Sequence, residues 1–319
     1  MEKLKKTVIL VALENIIWPI LIVVYVVFIF LKPGAMLSQD MVINIVYAAI
    51  PLGFIVLAEA LVLLNGNFDL SVGQTAGLAA AVGAVVATKG LVPPILTPLV
   101  PIGVGVLCGS LNGFLVGRMG LNAFLATLGT FLAFDGVQLL VRHTVIFEFP
   151  PFYTTLGGYY PVSIATFVLV LFILHFVLYK TKFGYHYLAV GSTPRAAGML
   201  GLSIPRFYFY SFVFSGALSG AAGLFWTGYT GAYGPLLAEG TVFMAFAAAV
   251  LGGISLKGGR GKILNVFGGM ILLGTISSGL TVLAISPYVR RTLFGSLVVV
   301  AIIIDSLKTR VRESIMRET

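Results

Sequence analysis

The sequence predicts an all-α, polytopic helical membrane protein with about ten transmembrane helices, and three observations carry that expectation. A content of 59% hydrophobic against 10% charged residues, at a mean hydropathy of +1.05, is more apolar side chain than a water-soluble fold of 319 residues hides. The apolar residues come in runs of roughly 20, the length that crosses a hydrocarbon core of about 30 Å. These runs are continuous rather than ten-residue alternations, so their backbone groups are satisfied within helices and not between barrel strands. No stretch is long or polar enough for a separate soluble domain. Residues 1–319 therefore read as a single transmembrane domain whose one long polar loop is 180–206.

The first run, 7–31, follows a basic leader, but Glu14 and Asn15 lie within it and no small-residue cleavage site follows. It reads as a transmembrane helix rather than a removable signal peptide. Spans 41–64 and 70–88 flank a polar break, NGNFDLSVGQ, at 65–74. Lys89 and Gly90 separate the third span from the fourth, 91–116, and turn residues bound the remaining six at 121–141, 161–179, 207–228, 240–256, 263–284 and 288–305.

The formal charge of +9 would suggest nucleic acid in a soluble protein, but here its distribution is a topology signal. With the N-terminus inside, the inside segments hold Lys3, Lys5, Lys6, Arg118, Lys180, Lys182, Arg195, Arg206, Lys257, Arg260, Lys262, Lys308, Arg310, Arg312 and Arg317. The outside segments hold Lys32, Lys89, Arg142, Arg290 and Arg291, so 15 of the 20 Lys and Arg fall inside. Both termini and the 180–206 loop are expected in the cytoplasm, and an even number of spans keeps the two halves of the chain in agreement.

That loop carries four basic residues and no acid, with a short helix signal in its middle. Ser192 or Thr193 suits the cap, Pro194 the first helical position, Arg195 to Leu200 under two turns, and Gly201 the residue past the end. So short a helix is not stable alone and must pack against something. On the outside, the segment at 142–160 is aromatic and carries a Pro pair. It reads either as an interfacial aromatic belt or as a docking surface. Gly113 with Gly117, Gly216 with Gly220, and Ala217 with Ala221 are small-xxx-small pairs that let helix backbones approach closely.

Enzyme chemistry is poorly supported. In 258–263 Lys262 is followed by Ile263, and Leu256 stands where a P-loop requires glycine, so no nucleotide cradle exists. His143, His175 and His186 have no metal-ligand spacing, the single Cys108 suits a small buried residue, and neither GxSxG nor a DxxxD carboxylate pair occurs. No metal site and no cofactor bound by the chain is expected. Glu59 reads as a proton or substrate site, or as a carboxyl packed against a helix end. Asp69 and Ser71, with Gln74, lie in a polar break of a kind tolerated at membrane depth only inside protein or a water-filled cavity, and Asp69 with Ser71 also suits a helix N-cap region. Asn112, Asn122, Thr127 and Thr130 would serve interhelical hydrogen bonding or a pathway for a hydroxylated solute.

Four segments together resemble the membrane permeases of sugar ATP-binding-cassette importers, the ribose, xylose and galactose type. NFDLSVGQ at 67–74 resembles GIDLSVGS, SLNGFLVGRMGLNAFLATLGT at 110–130 resembles LNG…PPFIATLGT, AVGSTPRAAGMLGLSIPR at 189–206 resembles AVGGNPEAARLSGI, and GGISLKGGRGKILNVFGGMILLG at 252–274 resembles GGTSLFGGRGS…G. They run in family order across most of the chain. The resemblance implies the ABC importer permease fold in the plasma (inner) membrane of a prokaryote, and a homodimer or heterodimer of permease subunits. It also implies two cytoplasmic ATPases that use ATP, an external solute-binding protein, and alternating access. It makes Thr193, Pro194, Arg195, Ala196, Ala197, Gly198 and Gly201 the coupling helix seated in a groove of the ATPase, and Gly258, Gly259, Arg260 and Gly261 a cytoplasmic glycine loop. Arg195 replaces the family's Glu, and Gly198 stands where the family has Arg, which alters charge pairing with the ATPase. Gln74 echoes nucleoside-type permeases. Nucleosides or branched-chain amino acids are therefore the alternative solutes, and an ion-coupled secondary transporter using Glu59 or Asp135 is the rival class.

Overall fold

A computed structural model of the chain describes residues 14–317. It is helical throughout. Among the described residues no strand forms, and extended pairing is limited to an isolated antiparallel bridge between Ile146 and Tyr233. We number the principal helices α1 (Ile17–Leu31), α2 (Gln39–Leu64), α3 (Val72–Thr88), α4 (Leu99–Gly113), α5 (Ala123–Val141), α6 (Pro151–Gly158), α7 (Tyr160–Lys180), α8 (Lys182–Ser192), α9 (Pro194–Met199), α10 (Ile204–Thr230), α11 (Thr241–Leu251), α12 (Ile263–Val282) and α13 (Pro287–Arg317).

Among the described residues seven helices are long and apolar enough to cross a membrane: α2, α5, α7, α10, α12, α13 and the Pro94–Arg118 segment that contains α4. The other three expected spans correspond to shorter apolar helices, α1, α3 and α11. Ten full crossings are thus not established. At about 1.5 Å per residue the 11 residues of α11 reach only about 16 Å. Its helix stops because Gly252 and Gly253 follow, the latter at φ +89°, although the apolar run continues beyond them. The start of the first expected span, 7–13, and the leader that carries Lys3, Lys5 and Lys6 lie outside the described residues. The last span continues well past residue 305, as a helix of 31 residues.

Two helices organise the packing. Every residue of α2 from Gly53 to Leu64 is buried, and α2 touches α10, α11 and α12. A helix apolar on all sides fits this central place. Ser38 caps its start, its hydroxyl accepting from the Met41 N–H at 3.2 Å. The other organiser, α10, lies against α2, α3, α4 and α6. Its contact with α4 is built on glycine: Gly105, Gly109, Gly113 and Gly117 recur every fourth residue and meet the α10 backbone, including Gly216 and Gly220. A methyl on Gly113 would stand 2.8 Å from the Phe209 carbonyl oxygen, and one on Gly117 2.6 Å from that of Pro205. Both glycine pairs singled out in the sequence therefore meet in one interface. Ala217 and Ala221 are only partly buried.

This contact yields a stability prediction. Gly216→Val would drive a side chain into the Gly105 carbonyl, a backbone group that cannot swing away. Overpacking of this kind destabilises by about 3 kcal/mol. Gly129→Val on α5, where a Cβ meets nothing within 4 Å, should change stability by less than about 0.5 kcal/mol. Thermal unfolding of the two purified variants in detergent checks the contrast.

Two short helices depart from the loops expected. Within 180–206 the chain bends at Thr181, whose hydroxyl accepts from the Gly184 N–H at 3.2 Å, and then forms α8 before α9. In the aromatic segment the Pro pair starts a helix rather than preventing one, because Pro151 occupies the first helical position of α6. Tyr153 of α6 is fully buried, and Gly157 lies on Gly228 of α10. Tyr153 and Gly157 thus serve internal packing, while Phe147, Phe152, Tyr159 and Tyr160 remain exposed.

Candidate functional site

The two ends of the molecule differ. At the end of α2 that finishes with Leu64, three chain segments converge: Leu64 to Gly66, the end of α8, and the loop Gly258 to Gly261. Gly259 N–H donates to the Leu64 carbonyl at 2.8 Å, and a Cβ on Gly258 would lie 2.7 Å from Gly66 Cα. A Cβ on Gly191 would stand 3.0 Å from Gly259 N and 2.9 Å from Asn65 Cα, so no side chain fits between the three backbones. The turn at Gly258 and Gly259 also runs through positive φ, at +79° and +67°. Polar bonds brace the junction. Asn65 Nδ2 donates to the Tyr187 carbonyl at 3.0 Å, and Tyr187 Oη donates to the Leu61 carbonyl at 2.7 Å. Tyr179 Oη donates to the Gly261 carbonyl at 2.8 Å and accepts from Ile263 N–H at 3.0 Å.

Helix α9 leaves this junction directly, since Ser192 touches Gly259 and Thr193 precedes Pro194. Pro194 holds the first helical position and Gly201 turns the chain at φ +81°, as the sequence implied. The Thr193 side chain, however, makes no capping hydrogen bond. Ala197 is buried against the protein, while Arg195, Ala196 and Gly198 are exposed. Met199 and Leu200 are bare, at 87% and 81% exposure, so the helix ends in an apolar knob left largely uncovered by the described residues.

The polar break begins where the junction ends. Asp69 and Ser71 are both buried, and the Asp69 Oδ1 oxygen accepts from Ser71 N–H at 2.9 Å and Ser71 Oγ at 2.7 Å. Asn112 Nδ2 donates to Ser71 Oγ at 2.8 Å, and Thr130 Oγ1 donates to Asn112 Oδ1 at 2.8 Å. Ser215 Oγ on α10 reaches Asp69 Oδ2 at 3.5 Å, and Thr127 Oγ1 accepts from Leu70 N–H at 3.1 Å. A continuous chain of hydrogen bonds thus ties the break to α4, α5 and α10, in surroundings where an unpaired polar group is costly. The local role of Asp69 is to hold the N–H and hydroxyl of Ser71, the cap residue just before α3, and Ser71 makes no side-chain cap bond itself.

Not every polar candidate joins this network. Asn122 stands apart, exposed, its Oδ1 accepting from Leu125 N–H at 3.2 Å to cap α5. Gln74 is buried on α3, and its Oε1 has no hydrogen-bond partner among the described residues. Glu59 is fully buried on α2, within electrostatic reach of Asp69 and close to its backbone N–H, and its carboxyl oxygens are shielded from solvent. Ser215 escaped the sequence reading together with Ser211 and Ser219, all completely buried on α10. Their spacing of four residues, which places three hydroxyls on one helix face, was the available signal.

The family model described as branched-chain amino acid transport system, permease component, matches residues 41–302. The chain belongs to this family. The D-allose transport system permease protein AlsC of Escherichia coli (strain K12) is 30% identical over 293 residues, covering 90% of each chain. The ribose import permease protein RbsC of Bacillus subtilis (strain 168) is 31% identical over 264 residues, 81% of this permease and 82% of that one. The L-arabinose transport system permease protein AraH of Escherichia coli (strain K12) is 32% identical over 266 residues, 79% of this chain and 78% of the relative. No solved structure matches the permease. The resemblance drawn from four short motifs and the match across most of the chain agree, and the multiple apolar helices make the permease a multi-pass membrane protein.

Proposed function

We propose that the chain is the membrane-spanning subunit of an ATP-binding-cassette importer for a monosaccharide. A cytoplasmic ATPase drives it, an external solute-binding protein feeds it, and a second permease subunit completes the pathway. The observation that carries this reading is α9, a six-residue helix with a bare apolar end, rooted in a junction of backbones packed too tightly to flex independently. A groove on the ATPase would bury Met199 and Leu200. Movement of α9 would pass through Gly191 and Gly259 to Leu64, and from there to the Asp69 network and the helices it ties together.

The Lys and Arg distribution supports placing this end, and both termini, in the cytoplasm of a prokaryotic cell. ATP chemistry belongs to the partner, since the glycine loop at 258–261 lacks P-loop spacing and is occupied in packing. Gln74 and Ser219, buried with side-chain oxygens free among the described residues, join Asp69, Ser71, Asn112, Asn122 and Thr127 as pathway candidates. The names of the allose, ribose and arabinose relatives favour a monosaccharide over nucleosides or branched-chain amino acids. A competition panel tests this in vesicles carrying the complete importer. Unlabelled aldoses should suppress uptake of the radiolabelled solute, and suppression by leucine or adenosine alone would reassign it.

Glu59 separates this reading from an ion-coupled carrier. Glu59→Gln keeps the shape of a buried side chain and removes its ability to carry a proton. ATP-driven uptake by the assembled Glu59→Gln complex should stay within about threefold of wild type, a difference under 1 kcal/mol. Complete loss with intact assembly would favour ion coupling.

A further inference from the structure

Between α10 and α11 the chain makes a succession of turns, 231–240, that do not stay at the end of the bundle. They run down the side of α3. Tyr233 packs with Ala80, Ala81 and Ala84, and Gln138 Nε2 donates to the Pro235 carbonyl at 2.6 Å. Lower still, a Cβ on Gly73 would stand 3.2 Å from the Ala238 carbonyl oxygen and 2.7 Å from Thr241 Oγ1. At 1.5 Å per residue the descent from Ala81 to Gly73 is about 12 Å, and Gly73 lies about 22 Å from the Thr88 end of α3. The turns thus reach membrane depth, where irregular backbone is tolerated only inside protein or against water. The chain itself leaves them open. Leu236 is 73% exposed, and α11, buried from Ala245 to Leu251, is open only in its first turn, at Phe243 and Met244.

Charge gathers on the same side. Asp135 is one turn before Gln138 on α5, so it shares the helix face that holds Pro235. It lies about 9 Å from the nearer end of this apolar helix and is partly exposed, and none of the ion pairs among the described residues includes it. Glu239, in the turns, meets Arg291 of α13 at 3.2 Å, and half or more of each of these two side chains is open. Ionisable groups at such depth face protein or a water-filled cavity, not lipid.

We propose that this side of the permease is a wall of the water-filled solute pathway, and that Asp135 and Glu239 are carboxylates that contact the solute on it. The assignment rests on the transport reading above, with the second subunit closing the pathway from the other side. A carboxylate is an acceptor with two oxygens, suited to the neighbouring hydroxyls of a monosaccharide, and its hydrogen bonds are charge-assisted. Arg291 fixes Glu239 while leaving part of it open, and Leu236 and Phe243 offer apolar surface to the C–H face of a sugar ring.

The test uses the complete importer in membranes, with Cys108→Ser as background so that each introduced cysteine is the only thiol of the permease. Leu236→Cys and Phe243→Cys are compared with Leu169→Cys and Ile173→Cys, exposed positions on the apolar helix α7. A charged, membrane-impermeant methanethiosulfonate, added in turn to each side of the membrane, should modify the first pair at least tenfold faster than the second. Asp135→Leu should lower ATP-driven uptake at least tenfold without lowering the melting temperature or the yield of assembled complex, whereas Asp135→Asn, which keeps an acceptor, should retain at least a third of it. Modification no faster than at the α7 positions, or unchanged uptake in Asp135→Leu, overturns the proposal. Uptake by the unlabelled cysteine variants scores the transport reading separately. ATP-driven uptake with slow modification removes only the pathway wall, while uptake driven by an ion gradient without ATP removes the importer itself.

Discussion

Replacing Met199 and Leu200 together by aspartate is expected to weaken association with the ATPase by roughly 100-fold and to reduce ATP-driven uptake to background. Each side chain is more than four-fifths exposed in the isolated permease, so docking would newly bury both. Full burial of an apolar side chain of this size contributes about 1.5 to 3 kcal/mol, and two together exceed the roughly 2.8 kcal/mol that a 100-fold change in affinity requires. Both are largely uncovered by the described residues, so expression, membrane insertion and melting temperature should stay at wild-type values. Co-purification of tagged permease with the ATPase measures the loss. Ala196 is exposed and is a suitable second position for a bulky replacement. Ala197 is not, because it is buried, and a bulky group there would disturb the permease itself.

The second large effect is expected at Asn112, the one side chain that links Ser71 of the break to Thr130 of α5. Asn112→Leu conserves volume but removes both bonds, leaving Ser71 Oγ without its donor and returning Thr130 to a longer bond with the Thr127 carbonyl at 3.3 Å. Loss of two buried hydrogen bonds, one leaving an acceptor unmet, should destabilise by about 2 to 4 kcal/mol. Asn122→Ala removes only an exposed helix cap and should cost about 1 kcal/mol. Thermal unfolding of the two variants in the same detergent distinguishes a network residue from a cap. Similar losses at both positions would mean that the network does not brace the fold.

The contrast between these two asparagines shows where the sequence is readable and where it is not. Ten residues apart, they look like one polar cluster, yet one lies inside the bundle and the other at a helix start, and only the packing of α4 and α5 on the break distinguishes them. Helix α9 was readable because Pro194 and Gly201 punctuate it by local chemistry alone. The apolar spans were readable for the same reason, since lipid selects length and hydropathy residue by residue. Helix α8 was not: its buried face is built from Phe183, Gly184, Tyr187, Val190 and Gly191, a mixture whose hydropathy resembles that of a loop. The end of α11 was hidden in the opposite way, because the apolar run carries on through Gly252 and Gly253 after the helix stops. The glycine loop carried a resemblance but no visible purpose. Its meeting with Leu64 and Gly191 is a contact between residues far apart in sequence, which no local pattern encodes.

Solute accumulation by the reconstituted importer tests the transport account most directly. Proteoliposomes holding the permease and its ATPase, supplied with the loaded binding protein and clamped so that no proton or sodium gradient exists, should accumulate a monosaccharide only when ATP is present on the ATPase side, and should stop when Met199 and Leu200 are replaced by aspartate. Accumulation that follows an imposed ion gradient without ATP, or that continues undiminished in that double variant, would contradict it.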